Sequence, residues 1–336
     1  MQTLTRFKFN AAMTALAELN EVETVTQKFN VVPSVQQTLE DKIQQSSEFL
    51  KKINIFVVVE QSGSAVGLGI SRPIASRTNT DATERQATDP TYMDERFYMC
   101  RKTDFDTAIK YQKLDQWAKF KDFYSRFRGA IVKRQALDRI MIGFNGTSIA
   151  ANTDITANPL LQDVNKGWLQ KMREENPSRV MKSGKTQNII TVGKTGDYKN
   201  LDALVMNIVD EMIDDVHQGN PDLVVMCNRK TVSDKYFPLV NKDQENTEKL
   251  AADIIISQKR MGGLATYSVP FFPEGIILVT TFDNLSIYVQ EGARRRTVID
   301  NPKRDQIENY ESSNEDYYIE DLGLACMAEN IEIQEE

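Results

Sequence analysis

The sequence is poor in the residues that do chemistry. Its 336 residues include one histidine, His217, and three cysteines, Cys100, Cys227 and Cys326. The cysteines are far apart and form no Cys-x-x-Cys pair. Neither a zinc site nor a disulfide framework is suggested, and a reducing compartment suits them. A Ser–His–acid or Cys–His arrangement has to be built around His217. That residue follows Asp214-Asp215-Val216 and precedes Gly219, an expected helix end where a histidine can meet exposed carbonyls. No run of 18 apolar residues is present to cross a membrane. The first 23 residues mix Arg6, Lys8, Glu18, Glu21 and Glu23 with apolar ones, so no signal-peptide core is expected. The expectation is a soluble protein kept in the cytoplasm, without cofactor or metal.

Two Gly-Lys-Thr triplets, Gly184-Lys185-Thr186 and Gly193-Lys194-Thr195, invite a phosphate-loop reading. Such a loop needs another glycine five positions earlier, and those positions hold Arg179 and Asn188. Polar turns are the simpler expectation. The carboxylates of Glu308–Asp321 lack EF-hand spacing. Gly63, Gly67 and Gly69 do not fit a dinucleotide fingerprint.

What is present is an ordinary folded composition, 40% apolar and 26% charged, long enough for about two domains. The formal net charge is -7, against a dedicated nucleic-acid grip. Charge is unevenly placed. Residues 101–140 hold 11 Lys/Arg against 5 Asp/Glu, whereas residues 305–336 hold 11 acidic residues and no Lys or Arg. Complementary poles of this kind pair within a chain or steer neighbours into register.

Apolar spacing predicts a helix over Leu4–Phe29, with Phe7, Ala11, Ala15 and Leu19 on one stripe, closed by Pro33. A second is expected over Val35–Leu50. Neither can hide its apolar side alone, so each needs its own body or another chain as a partner surface. Ile53–Val59 and Val66–Ser71 read as a hairpin around Gln61-Ser62-Gly63-Ser64. The polar stretch Arg77–Asp94 reads as a projecting arm, and Phe97–Phe105 as a strand. Leu114–Phe144 is the strongest helix, an expected spine of about thirty residues and roughly 45 Å, ended by Asn145-Gly146. Further helices are expected at Pro159–Glu175, Leu201–Val216 and Thr231–Phe237. Strands are expected at Asp222–Cys227, Ile276–Thr281, Leu285–Val289 and Thr297–Ile299. Helix and strand alternate in the middle section, α/β in character. Arg294-Arg295-Arg296 forms a compact cationic knot.

Asn158–Met181, NPLLQDVNKGWLQKMREENPSRVM, and Ala251–Leu264, AADIIISQKRMGGL, closely resemble segments of the major capsid protein family of Peduovirus-type tailed phages. The likeness continues through Thr5–Asn10, Lys28-Phe29, Arg134-Gln135 to Asn145-Gly146, Lys235–Pro238, Ser257–Arg260, Asn284–Tyr288 and Glu308–Ser312. It spans nearly the whole chain in order.

The resemblance implies an α+β fold, the Hong Kong 97-type tailed-phage capsid fold. Its parts are an N-terminal segment and arm (1–50), an extended β-hairpin loop (51–104) and a peripheral domain with the spine helix (105–194). An α/β axial domain (195–289) follows, then a return to the peripheral domain (290–336). It implies no enzyme, but hexamers and pentamers closing into an icosahedral head. The partners are other copies, a scaffold, a maturation protease and a portal, with packaged double-stranded DNA met non-specifically and no membrane. It also implies removal of an N-terminal segment, with the matching place at Phe29-Asn30. Intersubunit contacts are expected from Arg126, Arg128 and Lys133 on the basic spine, and from Arg294, Arg295 and Arg296. The competing readings are a nucleotide-binding enzyme and a tail tube or sheath subunit.

Overall fold

The longest strand, Gln306–Ile319, organises the molecule. In the computed structural model, which describes residues 1–70, 75–87, 91–117, 123–240 and 259–334, it lies inside a seven-stranded sheet. The order is Phe29–Asn30, Arg295–Asn301, Gln306–Ile319, Leu285–Gln290 and Asn54–Val58, with Arg101–Asp104 and Thr107–Lys110 also paired to the long strand. All pairings are antiparallel except Leu285–Gln290 with Asn54–Val58.

Among the described residues the α-helices are α1 (Thr3–Leu19), α2 (Pro33–Gln45), α3 (Tyr111–Trp117), α4 (Phe123–Asn145), α5 (Trp168–Glu175), α6 (Leu201–Met212), α7 (Asp215–Gln218) and α8 (Arg229–Val240). Leu39 and Ile43 of α2, Ala136 and Ile140 of α4, and Trp168 and Met172 of α5 join Leu285, Ile287, Tyr317 and Ile319 in the main core. Phe49 packs edge-on against Phe144 and Trp168 at 5.4 and 6.2 Å. The Trp168 indole N–H donates to the Ser286 carbonyl at 3.0 Å, so the buried ring leaves no orphan donor.

A second, six-stranded sheet runs Arg260–Met261, Leu264–Ser268, Val224–Cys227, Ile277–Thr280, Cys326–Ala328 and Val180–Met181. Its strands serve two cores by alternation. Val225, Cys227, Ile277, Val279, Cys326 and Ala328 pack under Leu204, Val205 and Ile208 of α6, while Met226, Leu278 and Met327 enter the main core. Burial on both faces explains why these segments read as unbroken apolar runs.

Several boundaries differ from the sequence reading. Ile53–Val59 and Val66–Ser71 do not pair with each other. Asn54–Val58 joins the main sheet, and Ser62–Ile70 pairs antiparallel with Thr91–Met99 in a two-stranded sheet of its own. The connection is therefore residues 71–90, partly outside the described residues, and Phe97–Phe105 divides between two strands. The helix expected from Pro159 starts only at Trp168, because Asp154 and Asp163 hold the preceding segment in turns. Asp154 N–H donates to Asp163 Oδ2 at 2.7 Å, and Asn158 N–H to the Asp154 carbonyl at 2.8 Å. The first helix stops at Leu19, and Phe29-Asn30 is strand rather than helix end. Helices α3 and α4 cover the expected spine outside residues 118–122, Phe120 among them, which lie beyond the described set, as does most of Ala251–Leu264.

Candidate functional site

Beneath α2 and α4 lies a buried ionic network that joins four parts of the chain. Arg139 on α4 donates through Nη1 to Glu40 Oε2 of α2 at 2.6 Å and through Nη2 to Glu315 Oε1 at 2.7 Å. Arg294 donates to the other oxygen of Glu40 at 2.5 Å, to Glu311 Oε1 at 2.8 Å through Nε, and to Gln135 Oε1 at 3.0 Å. Ser313 O–H closes on Glu315. Both arginines are fully buried. Glu311, Ser313, Glu315, Tyr317 and Ile319 alternate onto one face of the long strand, so its period of two delivers both carboxylates to the helix. Burial pushes the Glu40 carboxyl up, but Arg139 and Arg294 outweigh it and hold the group below the usual range. Glu311 is lowered by the same opposition of burial against Arg294 and Arg296.

Arg294 therefore does not sit where a neighbouring chain can touch it, contrary to the expectation drawn from the arginine triplet. Strand alternation explains this: Arg294 turns inward, Arg295 is exposed, and half-buried Arg296 donates to Asn309 Oδ1 at 2.7 Å. Arg126 and Lys133 are exposed on α4, and half-buried Arg128 lines an apolar cavity of about 300 Å³ between α1, α4 and the main sheet. The charge poles meet in part within the chain, through Arg139 with Glu315. Sequence reasoning missed Glu40, Arg139, Glu311 and Glu315. The available signal was Arg139 on the core-facing line of Val132, Ala136 and Ile140.

Phe29-Asn30 forms the sheet's short terminal strand. Phe29 pairs with Arg296 and Asn30 with Arg295, Val31 N–H donates to the Arg294 carbonyl at 2.8 Å, and Phe29 is buried. The preceding helix α1 rests on Tyr111, Leu114, Val298 and Ile307 through Leu16 and Ala17. Arg6 and the Tyr111 hydroxyl both hydrogen-bond to Asp300, which ties the helix to the sheet.

The first Gly-Lys-Thr triplet folds against a carboxylate that the chain itself supplies. Asp197 accepts from Lys185 N–H, Thr191 N–H and Thr191 Oγ1 at 2.9, 2.9 and 2.7 Å. Those hydrogen bonds bring its pKa down to about 2. The Lys185 N–H that a phosphate loop would offer is thus engaged by Asp197. His217 Nε2 lies 3.0 Å from Asp321 Oδ2 at the end of α7. Among the described residues no group of three or more His, Cys, Asp or Glu side chains could hold a metal ion, and no helix is long and apolar enough to cross a membrane.

Comparison with known proteins gives this arrangement its context. A family model described as phage major capsid protein, P2 family, matches residues 8–331. The capsid protein of Escherichia phage P2 is 49% identical over 342 residues, covering 99% of this chain and 96% of the relative. The major capsid protein of Serratia phage KSP20 is 40% identical, covering 98% and 97%. Among solved structures, a chain of the satellite phage P4 procapsid including its size determination (Sid) protein superposes with a TM-score of 0.82 at 45% identity, covering 100% of this chain and 99% of that one. A capsid chain of an empty GTA particle, 13% identical and covering 85% and 90%, shares the fold with a TM-score of 0.54.

Proposed function

The chain belongs to the P2 family of phage major capsid proteins, and from that membership we propose that its copies form the hexamers and pentamers of an icosahedral head enclosing the phage genome. It is a major capsid protein with the Hong Kong 97-type α+β fold, a virion component whose shell is assembled from many copies of itself. The observation that carries the finer reading is the full-length superposition on a procapsid chain. The division proposed for the subunit is the one expected from the sequence: N-terminal segment and arm 1–50, extended loop 51–104, peripheral domain 105–194 and 290–336, axial domain 195–289. A scaffold, a maturation protease and a portal are the partners of assembly in the host cytoplasm, and packaged DNA meets the inner face without sequence preference.

Exposed Arg126, Lys133 and Arg295, with half-buried Arg128 and Arg296, are the basic residues proposed to meet neighbouring copies. Charge reversal at Arg126, Arg128 and Lys133 then lowers shell yield, and more so at low salt. A yield indifferent to both would contradict these contacts. Processing falls between Phe29 and Asn30. Because that bond lies in a paired strand, it becomes accessible only when the segment around it lifts from Arg295–Asn301. Mass measurement of subunits from mature particles tests this: subunits beginning at Asn30 are expected, and subunits that retain Met1 would exclude it.

A further inference from the structure

Helix α1 carries apolar residues on two faces. One face, with Leu16 and Ala17, rests on the body. The other holds the most regular apolar spacing at this end of the chain, and it points outward. Phe7 is 71% exposed, Leu4 57% and Leu19 50%, and Ala11 and Ala15 between them are exposed as well. At 100° per residue these five fall within about 120° of arc. Phe7 and Ala11 also border the apolar cavity between α1 and α4, so the stripe continues into a groove.

The stripe is complementary to itself. In an antiparallel pair of α1 helices centred on Met13, Phe7 lies opposite Leu19 and Ala11 opposite Ala15. The two alanines at the crossing permit close approach of the axes, and the large side chains close both ends. Charge follows the same register. The N-terminal half carries Lys8 and the last turn Glu18; antiparallel pairing sets Lys8 opposite Glu18 twice, whereas parallel pairing sets like charges together. Such a contact is isologous and requires only a two-fold axis between copies. We propose that the outward face of α1 is a self-pairing surface, occupied in the unprocessed shell by α1 of a second copy running antiparallel.

The test uses the full chain assembled with scaffold but without protease, with Met1 confirmed by mass. Two tagged versions, Ala11→Cys and Ala15→Cys, are co-assembled and treated with a short bis-maleimide. Cys100, Cys227 and Cys326 are buried and give little background. The expected product is a dimer joining the two versions, in excess over dimers of Ala11→Cys with itself. Lys8→Glu lowers its yield by about tenfold, since two symmetry-related pairs turn from attraction to repulsion, and adding Glu18→Lys restores it. A predominance of Ala11→Cys self-dimers, adducts to the scaffold alone, no adduct in intact shells, or no rescue by the charge swap would each overturn the proposal.

Discussion

Replacing Arg139 with methionine should damage the subunit more than replacing Glu40 with glutamine, although the two side chains share a 2.6 Å ion pair. The reason is the charge count of the network. Glu40, Glu311 and Glu315 face the buried pair Arg139 and Arg294, so among these five groups the carboxylates outnumber the guanidinium groups by one, with half-buried Arg296 acting on Glu311 from the edge. Glu40→Gln leaves two carboxylates with two guanidinium groups; the amide oxygen still accepts from one arginine while its NH2 faces the other's N–H, and the lost charge-assisted bond costs about 1–3 kcal/mol. Arg139→Met leaves three carboxylates with one guanidinium and strips Glu315 of its paired cation inside the core. Breaking a buried pair from one side costs about 3–5 kcal/mol, a large share of the ~5–15 kcal/mol that a domain possesses. Urea unfolding of the unassembled subunit measures both. Equal losses, or a neutral Arg139→Met, would refute the reasoning. The pH dependence has a definite sign. The folded-state values of Glu40 and Glu311 lie below their ordinary value of 4.5. Their stabilisation is therefore complete above about pH 4.5 and is lost as the pH falls through the lowered values. Urea midpoints should hold between neutrality and that point and drop below it; midpoints that rise on acidification would contradict the pairing.

Other consequences are as specific. Gly167→Ala should destabilise by about 1–3 kcal/mol, because a Cβ there meets the backbone oxygens of Ile142 and Gly143 where α4 and α5 approach each other; an unchanged melting temperature would count against that close approach. Asp197→Asn should loosen the turn that joins the Gly-Lys-Thr triplets, seen as faster amide exchange at Lys185 and Thr191. In the unaltered chain that protection should persist on acidification until the pH approaches about 2; loss of protection near pH 4, the ordinary carboxylate range, would contradict the carboxylate's role.

How far the sequence was legible depended on whether a residue's partners lay nearby in the chain. Local signals read well. Asn145-Gly146 marks the end of α4, Asn200 caps α6 by accepting from Ala203 N–H at 2.8 Å, and the Val224–Cys227 strand follows from its unbroken apolar run. Pairings over long distances read poorly. Ile53–Val59 looks like half of a hairpin because its neighbour in sequence is another β-branched run, yet it pairs with Leu285–Gln290. Arg294 sits in a triplet that resembles a solvated knot, and only the register with the long strand reveals that every other residue turns inward. The stripe of Phe7, Ala11, Ala15 and Leu19 was visible as a pattern, but a pattern cannot say whether it faces the body or the outside. Whole-chain likeness to a capsid family supplied what local physics could not, since a shell subunit is defined by surfaces rather than by a reactive constellation.

The most direct test of the central claim is electron microscopy of the protein produced together with its phage's scaffold and protease. Closed shells, with five- and six-subunit clusters resolved on their surface, are predicted. Dispersed monomers or open filaments, with both partners confirmed present, would contradict the head-forming role.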